Sequence, residues 1–333
     1  MATNTFSREN LLTAARMTHN NEIIDVAEVL NETNDIIQDA HVEQGNDITS
    51  HVVSRRTALP TVTWVKVGNG WSATTGLVQQ ARETIGMMKA RYQCPADVMR
   101  LQPNPGKFRA NQERAYIESM GQEFSNTLFY GGVDPTSGAL SPIPEEFDGF
   151  GARLTALSTT ETTYVANNGD NSASDDTSVW LIQWGPGRVY LVYPRNSGQV
   201  GIKKEDKGLV FTPGDNDSYL WAHVTEFSWD VGLCVEDGRS LKRVANISSA
   251  SGDSYTLDED KLIEARNNFK HTNGMISMYC NETVFTQLQK LAKDKTNVYW
   301  SENNPFGKPQ LYFLDMPVRR YDALRNDEAS LTT

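Results

Sequence analysis

The stretch Asn111–Tyr130, NQERAYIESMGQEFSNTLFY, followed by GGVDP, decides how the rest of the chain is read. Ile117, Met120, Phe124 and Leu128 stand three, four and four residues apart, so on a helix they form one apolar stripe. Glu113, Arg114, Glu118, Gln122 and Glu123 fall largely off that stripe, facing water or a partner. Pro105 and Gly106 mark the start, and Gly131, Gly132 and Pro135 stop the helix. Such a helix runs roughly 30 Å, about the span of a small domain. Burying each stripe side chain contributes on the order of 1.5–3 kcal/mol. The stripe residues are expected to form the core of a spine on which the fold is built.

On the N-terminal side, residues 86–110 are locally basic, with Lys89, Arg91, Arg100, Lys107 and Arg109 against Asp97. Before them, Thr61–Val67 (TVTWVKV) alternates and is rich in β-branched residues, which predicts a strand. Asn69-Gly70 signals a turn, and an extended run follows over Thr74–Thr84. This hairpin carries Trp64, Trp71, Leu77 and Val78, yet two strands alone are marginally stable. It either covers its own domain's core or reaches onto a neighbouring chain. Residues 20–44 predict an amphipathic helix with Ile23, Leu30, Ile36 and Ile37 inward. Its polar side is one-signed, with Glu22, Asp25, Glu28, Glu32, Asp35, Asp39 and Glu43. That is a solvated acidic face or an arm that docks on something basic.

On the C-terminal side, GGVDPTSGALSPIPEEFDGFGARL is a turn-dense loop. Residues 156–250 are mostly β. Val179–Trp184, the turn Gly185-Pro186-Gly187 and Arg188–Tyr193 predict a hairpin. HVTEFSWDVGLCVEDGRSLKRVANI, broken at Asp237-Gly238, predicts a second antiparallel pair. The acidic stretch 167–176 lacks the spaced acids, central Gly and terminal Glu of an EF-hand and reads as a solvated tip. Asp258 caps a helix carrying Leu262, Ala265 and Phe269, and Met275–Cys280 is a strand. Asn281 caps a helix carrying Phe285, Leu288, Leu291 and Ala292. A last strand, Gln310–Leu314, meets Met316-Pro317-Val318, and the polar tail after Arg325 is expected to fray.

The chain has 333 residues, 38% of them hydrophobic, and a mean hydropathy of -0.50, with no run long enough to span a membrane. The N-terminus has no signal-peptide pattern. Cys94, Cys234 and Cys280 are an odd, scattered set, expected as buried free thiols in a reducing cytosol. A net charge of -11 disfavours gripping nucleic acid with the whole surface. The five histidines show no zinc spacing, and there is no CxxC, GxSxG, Walker loop or GxGxxG after a strand. No catalytic, cofactor-binding or metal residues are assigned.

Taken together, these parts resemble the major capsid proteins of tailed bacteriophages, which have the Hong Kong 97 fold. Among them, the chain is most similar to the capsid protein family of epsilon-15-like short-tailed phages. The likeness rests on LFYGGVDPTSGALSP with the following FDGFGARL, on WLIQWGPGRVYLVYPRNSGQVGI, and on FSWDVGLCVEDGRSLKRVANI with ISMYCNETVF and LDMPVRRYDAL. It covers roughly residues 51–325 by order and number of motifs rather than by one short signature. The resemblance implies an α+β fold with an N-terminal arm (1–50), an extended E-loop hairpin (51–90) and a peripheral domain (91–155 and 215–250). The peripheral domain carries the spine helix 111–130, and an axial domain (255–325) precedes a tail (326–333). The β-rich segment 156–214 belongs to either domain or is an insertion.

The function implied is a major capsid protein, not an enzyme, made in the host cytoplasm and resident in the virion. It would assemble into hexamers and pentamers of an icosahedral shell around double-stranded DNA, without cofactors and without contacting a membrane. Portal, scaffolding and decoration proteins are the implied partners. The alternative is a β-rich virion decoration or adhesin-type module with an aromatic groove around Trp180, Trp184 and Trp221. Charge adds one expectation. From Asn20 to Asp47 there are eight acids and no Lys or Arg, whereas Arg82–Arg114 holds seven basic residues and three acids. Glu28, Glu32 and Asp35 are expected to meet Arg82, Lys89 and Arg91 at an assembly interface that also includes Trp64, Trp71, Leu77 and Val78.

Overall fold

The computed structural model describes residues 18–19, 22–23, 36–169, 175–197, 200–213, 219–250, 256–270, 274–294, 298–301 and 310–332. The chain forms two compact units, one holding 87–125 and 198–230 with the start of the chain, the other 33–86, 126–197 and 231–333.

In the first unit, α2 (Ala96–Arg100) leads into α3 (Pro105–Tyr130), whose N-terminal part lies here, with β9 (Lys203–Pro213) and most of β10 (Tyr219–Val235). The helix starts at Pro105, where a missing N–H costs nothing and φ is already helical. Met120 and Phe124 are buried, and the Phe124 ring lies 4.5 Å from that of Trp229. Ile117 does not belong to this core and is 43% exposed. Tyr116 takes its place, stacked on Phe227 at 6.1 Å and meeting the Tyr92 edge at 5.8 Å. The inward face is thereby turned one residue from the predicted stripe. β9 and β10 run antiparallel from Lys203↔Ser228 to Pro213↔Tyr219, with a bulge at Val224/Thr225.

The second unit is built on a seven-stranded sheet of order β13 (Val298–Ser301), β14 (Gln310–Phe313), β15 (Met316–Arg320), β12 (Ile276–Cys280), β7 (Asp176–Gln183), β11 (Leu241–Ser248), β6 (Val165–Asn167). Its central strand β7 is flanked by β11 and β12, both antiparallel to it. All eight β7 residues are buried, so both faces of the sheet are covered. Val179 and Leu181 point to one face, where α5 (Glu259–Asn267) and α6 (Glu282–Asp294) bring Leu262, Ala265, Phe269, Val284 and Leu288. Trp180 points to the other, 5.7 Å from Phe129 at the end of α3 and 6.0 Å from Phe150 in α4 (Phe150–Arg153). Leu128 is buried on this C-terminal part of α3. The Asp258 and Asn281 caps form as predicted, onto the N–H groups of Asp260 and Val284. Gly132, at φ +77, ends α3 in a conformation that favours glycine.

A six-stranded sheet has the order β3-β8-β10-β5-β4, with β9 alongside β10. It contains β3 (Val42–Gln44), β4 (Ser50–Ala58), β5 (Leu77–Pro95) and β8 (Val189–Tyr193). Here the two predicted hairpins fail in the same way. Their strands exist, but β7 and β8 lie in different sheets, as do β10 and β11. The reason is that β7 already has a ladder on each side and leaves no edge for β8. Gly185 and Gly187, at φ +148 and +71, turn the chain from one sheet to the other.

Three further expectations change. Within the predicted helix 20–44, only α1 (Ile36–Asp39) is helical among the described residues, while Thr18–His19 pairs with Glu22–Ile23 and β3 follows. Glu28, Glu32 and Asp35 lie outside the described residues. Residues 61–67 form no strand; the hairpin's strands are β4 and β5, and Val67-Gly68 is the turn. The segment after Arg325 is not frayed, because Glu328 and Leu331 are 2% and 6% exposed.

Candidate assembly surfaces

The extended hairpin is the element that the sequence left without a core. Its base is locked by a carboxylate on β5. Glu83 is 6% exposed and accepts from Arg55 Nη2 at 2.9 Å and from both Arg153 Nη atoms at 3.0 and 2.8 Å. This two-pronged Arg153 contact fixes direction as well as charge. Outside it, Arg82 donates to Asp47 Oδ2 at 2.9 Å and to Ser50 Oγ at 2.8 Å. Hydrogen bonds from the Ile48 N–H, Ser50 and Arg82 hold the Asp47 carboxyl below its ordinary range. One acid of the N-terminal region thus meets one predicted basic partner within the chain. Arg91 and Lys89 are exposed, the former with Nε 4.0 Å from Glu226 Oε1.

β4 and β5 pair from Ser50↔Thr84 to Ala58↔Leu77, and beyond them residues 59–76 continue without a ladder. Only short-range bonds organise this tip, among them Thr74 Oγ1 to the Thr61 carbonyl at 2.8 Å and Asn69 N–H to the Lys66 carbonyl at 3.1 Å. Its large side chains are bare. Trp64 is 103% exposed and Trp71 80%, and Val62, Val67, Leu77 and Val78 are also exposed. Of a second exposed set, the sequence singled out Trp221 but not Phe211 or Tyr219. Phe211 stacks on Tyr219 at 5.2 Å and tilts against Trp221 at 5.2 Å, along the β9–β10 ladder. Period-2 alternation puts these rings on one face, but nothing in the spacing tells that the face is open.

The predicted water-facing Glu113 is in fact buried, in a site that no local pattern announces. Its Oε1 accepts from Arg109 Nε at 2.8 Å and Thr225 Oγ1 at 2.6 Å, and Oε2 accepts from Lys204. Burial pushes this carboxyl up, but the bonds from Lys204, Thr225 and Arg109 together bring it below its ordinary range. Arg109 also donates to Asp206 at 2.6 Å, so the polar half of α3 is riveted to β9 and β10. Trp180 and Trp184 are 0% and 8% exposed in the second unit, and Trp221 is 54% exposed in the first.

All three cysteines are buried and free, and burial pushes the Cys234 thiol up to about 11. Among the described residues, no group of three His, Cys, Asp or Glu is placed to hold a metal, and no helix is long and apolar enough to cross a membrane.

The family model for major capsid protein GP7 matches residues 18–332. The chain belongs to this major capsid protein family. A chain in the cryo-electron microscopy structure of bacteriophage epsilon15 is similar over 100% of both chains, with 24% identity and a TM-score of 0.74. The SrpI encapsulin of Synechococcus elongatus is 10% identical with a TM-score of 0.48, covering 76% of this chain and 100% of its own. The capsid of bacteriophage JBD30 is 11% identical with a TM-score of 0.43, over 89% and 93%. No curated protein matches. The capsid protein has the α+β Hong Kong 97 fold, and its place is the virion shell.

Proposed function

We propose that this capsid protein packs as hexamers and pentamers of an icosahedral shell around double-stranded DNA, with the hairpin tip seated on a neighbouring copy. The observation that carries this reading is the full exposure of Trp64 beside Trp71 on a tip with no ladder of its own. Such a surface in a subunit of net charge -11 favours protein over nucleic acid as its direct partner. Contact with packaged DNA is non-specific in this reading. Portal, scaffolding and decoration proteins complete the set of partners. The subunit is made in the host cytoplasm and performs no catalytic step.

In domain terms, residues 1–50 form the arm, 51–90 the E-loop, 91–155 with 215–250 the peripheral domain, and 255–325 the axial domain. The segment 156–214 divides between them. β7 lies in one sheet with β12 and β15 of the axial part, while β8 lies with β10. The decoration or adhesin reading is the weaker one, since Trp180 and Trp184 are packed inside.

Electron microscopy of the purified chain with residues 60–75 replaced by a short Gly-Ser linker tests the reading. Soluble, cooperatively folded subunits that form no shells are expected. Shells of normal size from the shortened chain would refute the role of the tip.

A further inference from the structure

The segment Arg325–Thr332 lies in a cleft of the second unit whose walls come from separate parts of the chain. Glu328, at its centre, accepts at Oε1 from the Tyr130 hydroxyl at 2.6 Å. At Oε2 it accepts from Arg243 Nη2 at 2.9 Å and from the Ser178 hydroxyl. Arg243 is 6% exposed, and its remaining donors go to Ser178 Oγ at 2.9 Å and the Leu154 carbonyl at 3.0 Å, with its guanidinium 4.8 Å over the Trp180 ring. Glu328 is thus the carboxylate paired with a buried cation.

The main chain of the segment is recognised as well. The N–H groups of Glu328 and Ala329 donate to the carbonyls of Asp176 and Pro135 at 2.9 and 2.8 Å. Asn246 grips Leu331 at both ends, accepting from its N–H at 2.8 Å and donating to its carbonyl at 2.9 Å. To do so Asn246 sits at φ +60, inside an irregularity of β11 between Val244 and Ile247. A non-glycine residue in that region is uncommon and is held there by its surroundings. The irregularity aims the amide so that it imitates a strand partner.

We propose that this cleft is a peptide-binding site for an extended acidic segment, filled by residues 325–332 of the same chain, and that its occupancy sets whether the subunit is able to join a shell. The chemistry of recognition is one carboxylate for Arg243, main-chain groups for Asp176, Pro135 and Asn246, and a buried leucine side chain, Leu331, three residues after the carboxylate. A small void of about 20 Å³ is lined by Tyr130, Trp180, Arg243, Glu328, Ala329 and Leu331 among others. The link to assembly is the loop that begins at Pro135. It carries Leu140 and Ile143, 63% and 47% exposed, and the Ala329 N–H holds its first carbonyl. An empty cleft leaves Arg243 buried without its anion, and takes from that loop its tie to the segment while its local bonds, such as Gly138 N–H to the Asp134 carbonyl and Ser141 N–H to the Gly132 carbonyl, remain.

The test uses the full chain. In the unassembled wild-type subunit, hydrogen exchange at the amides of Glu328, Ala329 and Leu331 is expected to be as slow as at Val244. Glu328→Gln is expected to speed these three amides roughly 100-fold and to slow shell formation, followed by light scattering, roughly tenfold. A synthetic peptide with the sequence of residues 325–332, added to Glu328→Gln subunits, should restore the rate, and the same peptide with Gln in place of Glu328 should not. Shell formation at the wild-type rate with the three amides unprotected overturns the proposal, as does equal action of the two peptides or failure of both. Where Glu328→Gln subunits do not stay soluble, the wild-type measurement decides alone: exchange at random-coil rates at these amides overturns the site.

Discussion

The hairpin tip, residues 59–76, and the segment 325–332 both belong to the second unit, and burial runs opposite to polarity along the tip and at Glu328. The tip holds Trp64, Trp71, Val62 and Val67 and leaves them bare. The segment reads RNDEASLT; Arg325, Asn326, Asp327 and Thr332 are exposed, yet its Glu328 is buried, at 2% exposure. Polarity therefore does not decide burial by itself; the number and direction of available partners does. Around Glu328 stand a guanidinium and two hydroxyls, so that each oxygen lost from water regains a bond. Around the tip no second surface is present among the described residues, and in the proposed reading another copy supplies it.

The comparison can be broken or sharpened by substitutions, taken from the largest expected effect on the subunit to the smallest. Phe124→Asp is the extreme case, a carboxylate placed in a fully buried position against Trp229. It is expected to yield no folded subunit, as judged by near-ultraviolet circular dichroism and the absence of a cooperative melt. A native-like spectrum would mean that α3 has been placed on the wrong face.

Next come the two halves of the buried pair. Arg243→Met or Glu328→Gln alone should each cost about 3–5 kcal/mol, because each strands the other partner. Arg243→Met with Glu328→Met together should recover most of that loss, since two apolar side chains leave no charge to solvate. Denaturant titration of the three variants measures it, and additive losses in the double variant would sink the account.

Lys242 is a milder case of a buried charge. Its ammonium donates to the Glu161 carbonyl and lies 5.5 and 5.7 Å from the rings of Tyr164 and Phe269. Burial pushes its pKa down to about 8 from 10.5. Between these values the unfolded chain binds more protons than the folded one, so this group makes stability rise with pH across that window. Subtracting the pH profile of Lys242→Met from that of the wild type should isolate the rise, and a flat difference would show that the ammonium is solvated.

The tip should behave in the contrary way. Trp64→Ser with Trp71→Ser is expected to leave the melting of the isolated subunit within about 0.5 kcal/mol of wild type while abolishing shells. Loss of subunit stability would place those rings in the chain's own core. The smallest effect belongs to the exposed Arg82–Asp47 pair. Arg82→Glu should leave the melt unchanged and slow assembly, most visibly at low salt, where exposed charges are least screened. Normal empty-shell assembly with failed genome packaging would assign that basic residue to DNA instead.

What was legible in the sequence was short-range. The 3.6-residue spacing of Met120, Phe124 and Leu128, the caps at Asp258 and Asn281, the stop at Gly131-Gly132 and the alternation of β7, β10 and β12 depend on neighbours within a few residues. The sequence-level likeness to capsid proteins drew on the order of those same pieces. What only the tertiary structure decided was which pieces meet. Whether β7 takes β8 or β11 as its partner, whether Ile117 or Tyr116 faces inward, and whether Glu113 is wet or riveted depend on surfaces supplied from far along the chain. Tyr130 and Glu328 are 198 residues apart, Arg153 and Glu83 are 70, and Thr225 and Glu113 are 112. Local propensity carries no information about such contacts, because each side chain's environment exists only after the chain has closed those distances.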